Sequence, residues 1–339
     1  MSSLPGLDLT RLSAWWPDHV GPLAGTGDLD ATLIAGGKSN LTYEVTDGAG
    51  AWIVRRPPLG HVLATAHDMA REHRVMTALR ETAVPVPATY ALCQDPGVLG
   101  APFYVMAKVD GTPYRRAEEL AALGAERVTA ISTRLVDALA ALHAIDPVDV
   151  GLGDFGRAEG FLGRQVVRWK KQLDASRTRD LPAADELHAR LAAGVPPESA
   201  PGIVHGDYRL DNVLVDASDQ VTAVLDWEMA TLGDPLTDLA LMLLYARLGA
   251  SAGALVSDVA AAPGYLSEEQ TLQRYADAGG RDLTHFGFYL GLAAFKLAAI
   301  LEGIHYRYLQ GQTVGPGFEH IGEAIHPLLA AGLDALDQD

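Results

Sequence analysis

Two rhythms of apolar and polar residues divide the chain. In residues 41–46, Leu41, Tyr43 and Val45 alternate with Thr42, Glu44 and Thr46, the period-two pattern of a strand buried on one face. Runs at 31–35 and 51–56 are also β-prone, and Asp47-Gly48 supplies the turn between the second and third strands. A short amphipathic helix over 7–16, ended by Pro17, leads the set. A longer helix is expected over about 65–82, then strands near 88–92 and 103–107. This β-β-β-α-β-β order is compact and mixed, unlike the strict alternation of a doubly wound sheet.

Beyond Asp110-Gly111 the period lengthens. Val128, Ile131, Leu135, Leu139 and Leu142 form one apolar face at helical spacing. Further helices are expected at about 160–175, 183–193, 235–247, 267–278, 284–309 and 318–337. Residues 177–201 are polar and dotted with proline, the composition of a surface excursion. The change of rhythm implies a short hinge at 108–112, separating residues 1–108 from 109–339. The most apolar stretches, 239–248 and 286–301, fall short of a membrane span or are interrupted by Arg247 and Lys296.

Composition narrows the class. A chain of 339 residues is long for one hydrophobic core, so two lobes are expected. Its 48% hydrophobic and 20% charged residues describe an ordinary globular protein. A formal net charge of −17 argues against nucleic acid or an anionic membrane surface as main partner. It suits cationic acceptors such as aminoglycosides or choline, although solubility explains it equally well. A single cysteine, Cys93, excludes an intramolecular disulfide and a cysteine zinc cluster, and its apolar neighbours mark it as a buried structural thiol. The eleven histidines show no H-x-x-x-H spacing, so no zinc site is expected. The N-terminus shows no basic segment followed by an apolar core, and a cytoplasmic enzyme is expected.

The chemistry concentrates in His205-Gly206-Asp207-Tyr208-Arg209-Leu210-Asp211-Asn212, followed fourteen positions later by Asp226-Trp227-Glu228. Apolar β-prone flanks at 203–204, 213–215 and 221–225 place each acid at the end of a short strand. Protein kinases carry H-R-D-x-x-x-x-N and then a metal-binding Asp in D-F-G. Here the His, Asp, Asn and second Asp recur in that order, with the same five-residue step from Asp207 to Asn212. Asp207 suits the task of orienting or accepting a proton from an attacking hydroxyl. Asn212 and Asp226 offer the hard oxygen ligands that Mg²⁺ prefers, and Glu228 is a third candidate for the metal or its water. Arg209 is a candidate to neutralise the transferring phosphoryl group. The bland alternative, turn residues that cap short strands, does not account for four residue types in order. A helix expected from Asp234-Pro235 leaves no room for a long activation loop, which weighs against a regulated protein kinase.

The N-terminal strands add an independent signal. Gly36-Gly37-Lys38-Ser39-Asn40 joins two strands, where small residues let backbone N–H groups approach phosphate oxygens; a plain hairpin turn is the alternative. A P-loop is excluded, because Thr32 stands where that motif needs Gly and a strand follows instead of a helix. Arg55 ends the third strand at the position of the kinase lysine in V-A-I-K, and Glu72 on the next helix is its candidate partner. Arg56 and Lys38 are rival cations. In the late helix, Tyr289, Glu302, His305, Tyr306 and Arg307 are candidates for an acceptor pocket, with core packing as the competing explanation.

These pieces together resemble the aminoglycoside phosphotransferase and choline kinase-like family. The resemblance implies an α+β, bilobal protein-kinase-like fold: a small, mainly antiparallel β N-lobe with one helix, and a larger, mainly helical C-lobe. It implies ATP or GTP with Mg²⁺, and a small-molecule hydroxyl acceptor on the helical lobe. By resemblance Asp207 is the base and Asn212 and Asp226 are metal ligands. Gly36, Gly37, Ser39, Asn40, Arg55, Glu72, Met106 and Lys108 then face the nucleotide. Arg55-Arg56-Pro57-Pro58, the helix start from Gly160 to Trp169, and Asp226 through Pro235 look most similar to the kinase-like domain fused to certain acyl-CoA dehydrogenases. That points to hydroxyacyl-CoA or hydroxy-acid acceptors, with antibiotic inactivation and a non-catalytic pseudokinase as alternatives. Arg55 departs from the usual Lys, and no dehydrogenase domain is present in these residues. No motif selects ATP over GTP or sets an oligomeric state.

Overall fold

The computed structural model describes residues 4–23, 28–34, 40–59, 68–197, 200–251, 257–279, 281–313 and 317–338. It divides into two compact units, Met1–Thr112 with Leu214–Ala230, and Pro113–Val213 with Thr231–Asp339.

The first unit is built on an antiparallel sheet of β1 (Asp30–Leu33), β2 (Leu41–Thr46), β3 (Ala51–Arg56), β4 (Thr89–Cys93) and β5 (Phe103–Ala107), in the order β1-β2-β3-β5-β4. Tyr43 and Val45 of β2 are buried while their neighbours in sequence are only half-buried, as the alternation requires. They pack with Val54, Phe103 and Val105 against α1 (Leu9–His19), which buries Leu12 and Trp16 one turn apart. Pro17 does not end this helix. It lies in the last turn, where it forfeits one backbone bond, and the Val20 N–H still closes on the Trp16 carbonyl.

α2 (Met69–Leu79) starts later than its pattern suggests, because Asp68 accepts the Ala70 and Arg71 N–H groups and sets the N-terminus there. Residues 65–67 lie outside the described residues. The buried stripe of α2 is Met69, Glu72, Val75, Met76 and Leu79, a carboxylate set in an apolar face. A one-turn helix, α3 (Pro96–Leu99), capped by Asp95, has no counterpart in the sequence reading. Arg56 is buried and donates to the carbonyls of Gly6 and Leu99, a strap from the end of β3 to the N-terminal segment. That structural duty removes it as a rival phosphate cation. The returning segment forms a two-stranded sheet of Val213–Val215 and Val221–Val224, tied in by the Thr112–Val215 bridge and the Val224 N–H on Pro85.

The second unit is helical: α4 (Ala117–Ala121), α5 (Ala125–Ala144), α6 (Phe161–Ser176), α7 (Pro182–Ala193), α8 (Leu236–Ser251), α9 (Glu268–Gly279), α10 (Phe286–Leu309) and α11 (Ile325–Asp337). The expected apolar face of α5 is buried in full. Within 177–201, expected as a surface excursion, Leu181, Ala184, Leu187 and Leu191 are buried and α7 packs on α10 and α11. Gly202–Val204 pairs antiparallel with Thr231–Gly233, a strand too short to show a period in sequence.

α10 is long and apolar enough to cross a membrane by length and composition, contrary to the reading of its first half alone. Here it is the core helix, surrounded by α6, α7, α8 and α11. Its polar groups are mostly spent on packing. Tyr289 donates to buried Asp234, and buried Glu302 accepts from the Thr178 N–H and hydroxyl and from Arg179. Tyr289 and Glu302 are therefore structural anchors and not pocket residues. Tyr306 and Arg307 are exposed.

α5, α8 and α9 are cross-tied by a buried polar triplet. The His143 Nδ1 meets the Tyr275 hydroxyl at 2.7 Å, and its Nε2 faces Asp238 at 3.5 Å. Burial pushes the imidazole below its usual range, against the pull of Asp238.

Two stability outcomes follow from this packing. Arg56→Leu leaves the Gly6 and Leu99 carbonyls without donors, and urea unfolding is expected to show a loss of about 2–3 kcal/mol. His143 is neutral when folded and protonates more readily when unfolded. Its stabilisation is complete above about pH 6.5 and fades as pH falls toward its depressed folded value, by up to about 1.4 kcal/mol per pH unit. His143→Gln, which can donate to Asp238 and accept from Tyr275, is expected to flatten the decline measured between pH 7.5 and pH 5. His73 and His188, also depressed by burial, add to the decline, while Glu72, raised to about 7 by burial, opposes it in the same window.

Candidate active site

In the first unit the charged residues converge on one guanidinium. Arg55, on β3, places Nε 3.1 Å from Glu72 Oε2 and Nη2 2.5 Å from Asp226 Oδ1. Tyr104, its cross-strand partner on β5, donates to Glu72 at 2.9 Å. The Asn40 amide donates to Glu72 at 3.1 Å and to Glu228 at 3.3 Å. Asp226 reaches this position from a left-handed backbone conformation (φ 65°), which turns the chain sharply after Val224 into the 3₁₀ turn Trp227–Met229. Trp227 is buried there and donates to the Val224 carbonyl.

Burial pushes the Glu72 carboxyl up to about 7, with Arg55 and Tyr104 pulling it back. Burial also works against the Arg55 charge, but Tyr104, Glu72 and Asp226 outweigh it and hold the guanidinium above its usual range. Arg55 stays charged, and the carboxylates orient it.

Two expected nucleotide contacts lie apart from this network. Met106 is buried in the sheet between Ile53 and Thr89, and Lys108 pairs with Glu44 at 2.5 Å. Gly36, Gly37 and Ser39, with Lys38, lie outside the described residues.

In the second unit the loop after Gly202–Val204 is held from its backbone. Asp238, in the first turn of α8, is buried and accepts the His205 N–H at 2.6 Å and the Gly206 N–H at 2.7 Å. Burial opposes its charge, but the His143 contact and the Gly206 N–H keep the carboxyl below its usual range. Gly206 sits at φ +89°, where a side chain would be strained, and its carbonyl accepts the Lys296 ammonium at 2.9 Å. Lys296 in turn lies 5.6 Å from the centre of the Trp169 ring.

The corner presents Asp207. The Asn212 amide nitrogen donates to the Asp207 carbonyl at 2.9 Å and to its Oδ2 at 3.1 Å. With that NH₂ group engaged, the amide oxygen of Asn212 is the atom left to ligate a cation. Arg209 pairs with Asp211 at 2.9 Å and faces Asp207 at 3.4 Å, so its charge is shared inside the loop. The Tyr245 hydroxyl donates to Asp207 Oδ1 at 2.9 Å.

Sequence reasoning missed Tyr104, Lys296 and Tyr245, and assigned no role to His143 or Asp238. Lys296 left a signal, a lone charge in an apolar helix, as did Glu72. Tyr245 left none.

Among the described residues no three His, Cys, Asp or Glu side chains form a ready-made metal cage. That is compatible with Mg²⁺, which binds through one or two carboxylates together with phosphate oxygens and water.

Comparison with known proteins bears on the family and the fold. A model of the phosphotransferase enzyme family matches residues 30–276. Acyl-CoA dehydrogenase family member 11 of Gallus gallus is 34% identical over 321 residues, 92% of this chain but 41% of that protein, so the chain spans about two fifths of this relative's length. The crystal structure of a candidate aminoglycoside phosphotransferase from Ralstonia eutropha is 33% identical, covers 98% of each chain and has a TM-score of 0.85. A thermostable mutant of aminoglycoside phosphotransferase APH(4)-Ia, in complex with AMP-PNP and hygromycin B, shares the fold at 14% identity, 96% and 98% coverage and a TM-score of 0.62. With its small antiparallel unit, its helical unit and its H-G-D-x-x-x-x-N loop, this chain has the kinase-like fold and belongs to the phosphotransferase enzyme family.

Proposed function

We propose that this chain transfers the γ-phosphoryl group of ATP to a hydroxyl on a small molecule. The observation that carries the reading is the loop from His205 to Asn212, where Asp238 holds the backbone and Asn212 orients the Asp207 carboxylate. An acceptor alcohol needs such a pre-set acid, because the loose transition state of phosphoryl transfer rewards alignment above base strength. On this reading Asp207 takes or orients the acceptor proton, and Arg209 tempers charge on the phosphoryl group. Asn212 and Asp226 would hold magnesium, with Glu228 in support, and the ion when bound would supply charge neutralisation at the phosphates. Arg55, anchored by Glu72, meets the phosphates. Gly36, Gly37, Ser39, Asn40, Met106 and Lys108 serve the rest of the nucleotide, which is ATP or GTP.

For the acceptor we favour a hydroxy acid or hydroxyacyl-CoA. In a chain of net charge −17, α6 carries Arg164, Arg168, Lys170 and Lys171 within eight residues. Arg164 is spent on the carbonyls of Arg157 and Glu159, and Lys170 on Asp174, which leaves Arg168 and Lys171 exposed for an anionic acceptor group. A polycationic aminoglycoside gains nothing from that helix, though the acidic surface at large suits it. The name of the dehydrogenase relative supports an acyl acceptor, and that of the Ralstonia eutropha protein supports an antibiotic. A buried, unpaired Cys93 suits a reducing compartment such as the cytoplasm.

The test is ADP release with Mg²⁺ and ATP or GTP across hydroxy acids, hydroxyacyl-CoAs, amino alcohols and aminoglycosides. Asp207→Asn and Asp226→Ala are expected to lower turnover by roughly 10²-fold or more while unfolding cooperatively. Asp226→Ala is also expected to lose the thermal shift that Mg-ATP confers, worth about 2.7 kcal/mol at a hundredfold excess over Kd. Normal turnover in both folded variants removes the site assignment.

A further inference from the structure

The Asp207 carboxylate has two oxygens, and the chain engages both. Oδ2 accepts the Asn212 amide at 3.1 Å and faces Arg209 Nε at 3.4 Å. Oδ1 accepts the Tyr245 hydroxyl at 2.9 Å. The Arg209 guanidinium lies over the Tyr245 ring, 5.1 Å from its centre, so the cation that flanks the carboxylate also holds the phenol in place.

A base for phosphoryl transfer must offer an oxygen to the attacking O–H within hydrogen-bond reach. Oδ2 accepts the loop's own amide and also faces the Arg209 guanidinium, which leaves Oδ1 the less encumbered oxygen for the task. The group standing there is itself a hydroxyl, in the donor role that an acceptor alcohol would play. Burial and the Asp207 charge keep the Tyr245 phenol far above its usual range, so it remains a donor at every working pH.

We propose that the Tyr245 hydroxyl occupies the acceptor-hydroxyl position on Asp207 and keeps water off the base, making Tyr245 the residue that selects an alcohol over water as phosphoryl acceptor. An alcohol brings binding energy from the rest of its molecule to displace the phenol from Oδ1, whereas water brings none. The wasteful reaction held back is hydrolysis. In it the bond from the γ-phosphorus to the bridging oxygen of ADP breaks, a bond to the water oxygen forms, and the water proton passes to Asp207. The proposal rests on the phosphotransferase reading above.

The experiment is ADP release from Mg-ATP with no acceptor present, for the wild type, Tyr245→Phe, Asp207→Asn and the double variant, each checked for unchanged thermal unfolding. Tyr245→Phe removes one oxygen atom and is expected to raise hydrolysis roughly fivefold or more, within the 10²–10⁴-fold that a positioned base can contribute. The double variant is expected to fall back to the Asp207→Asn rate, a dependence that looser packing alone would not produce. A folded Tyr245→Phe that hydrolyses at or below the wild-type rate overturns the proposal while leaving Asp207 as the base. Wild-type hydrolysis in Asp207→Asn overturns both the proposal and the assignment of Asp207.

Discussion

The loop from His205 to Asn212 depends on one buried carboxylate. Asp238 sits in the interior of the helical unit and accepts two consecutive backbone N–H groups, those of His205 and Gly206. An isolated charge there would cost several kcal/mol, and two unpaired N–H groups at a buried corner about 1–3 kcal/mol each. Each cost is offset by the other group. The arrangement works only if the backbone turns so that both N–H bonds point the same way, and glycine at φ +89° allows that turn. Lys296 closes the corner from the other side by taking the Gly206 carbonyl. Asp207 follows directly, so its position is set by the buried Asp238 carboxylate and by Lys296. Because Asp238 also faces His143, which meets Tyr275, the loop is braced on three helices of its unit.

Much of the fold was legible. Period two in β2 and helical period in α5 reflect burial on one face, which sequence records directly. What failed to show were short or context-bound features. Thr231–Gly233 is three residues long and carries no period, and Pro17 is tolerated because it falls where only one bond is lost. α7 was expected as a helix at 183–193, but its burial was not, although Leu187 and Leu191 stand one turn apart on its inner face. The return of residues 214–230 to the first unit is a matter of tertiary contact, which no local pattern encodes.

Contacts between the candidate residues were legible where residue type and spacing are both constrained. Asp207 and Asn212 need a five-residue step because the amide must fold back onto the carboxylate, and Arg55 with Glu72 follows from a charge set opposite an apolar helix face. Tyr245 and Tyr104 were silent, since a tyrosine on a buried helix or strand normally reads as core and its hydroxyl's partner lies 38 or 32 residues away in sequence. The late-helix candidates failed for the converse reason. Tyr289 and Glu302 have the right chemistry for a pocket but find partners inside the unit, and a buried polar group that is fully bonded is structural.

Arginine in place of lysine on β3 makes physical sense in this network. A lysine ammonium is a compact charge, whereas the guanidinium is a flat fork whose separate nitrogens face different carboxylates. Arg55 uses that fork, with Nε toward Glu72 and Nη2 toward Asp226. One positive charge is thereby shared between two carboxylates, and Asn40 links Glu72 onward to Glu228 without adding charge. The mutual repulsion registers at Glu72, where Asp226 and Glu228 add to the upward push of burial. Within this network the Arg55 guanidinium faces two carboxylates at once.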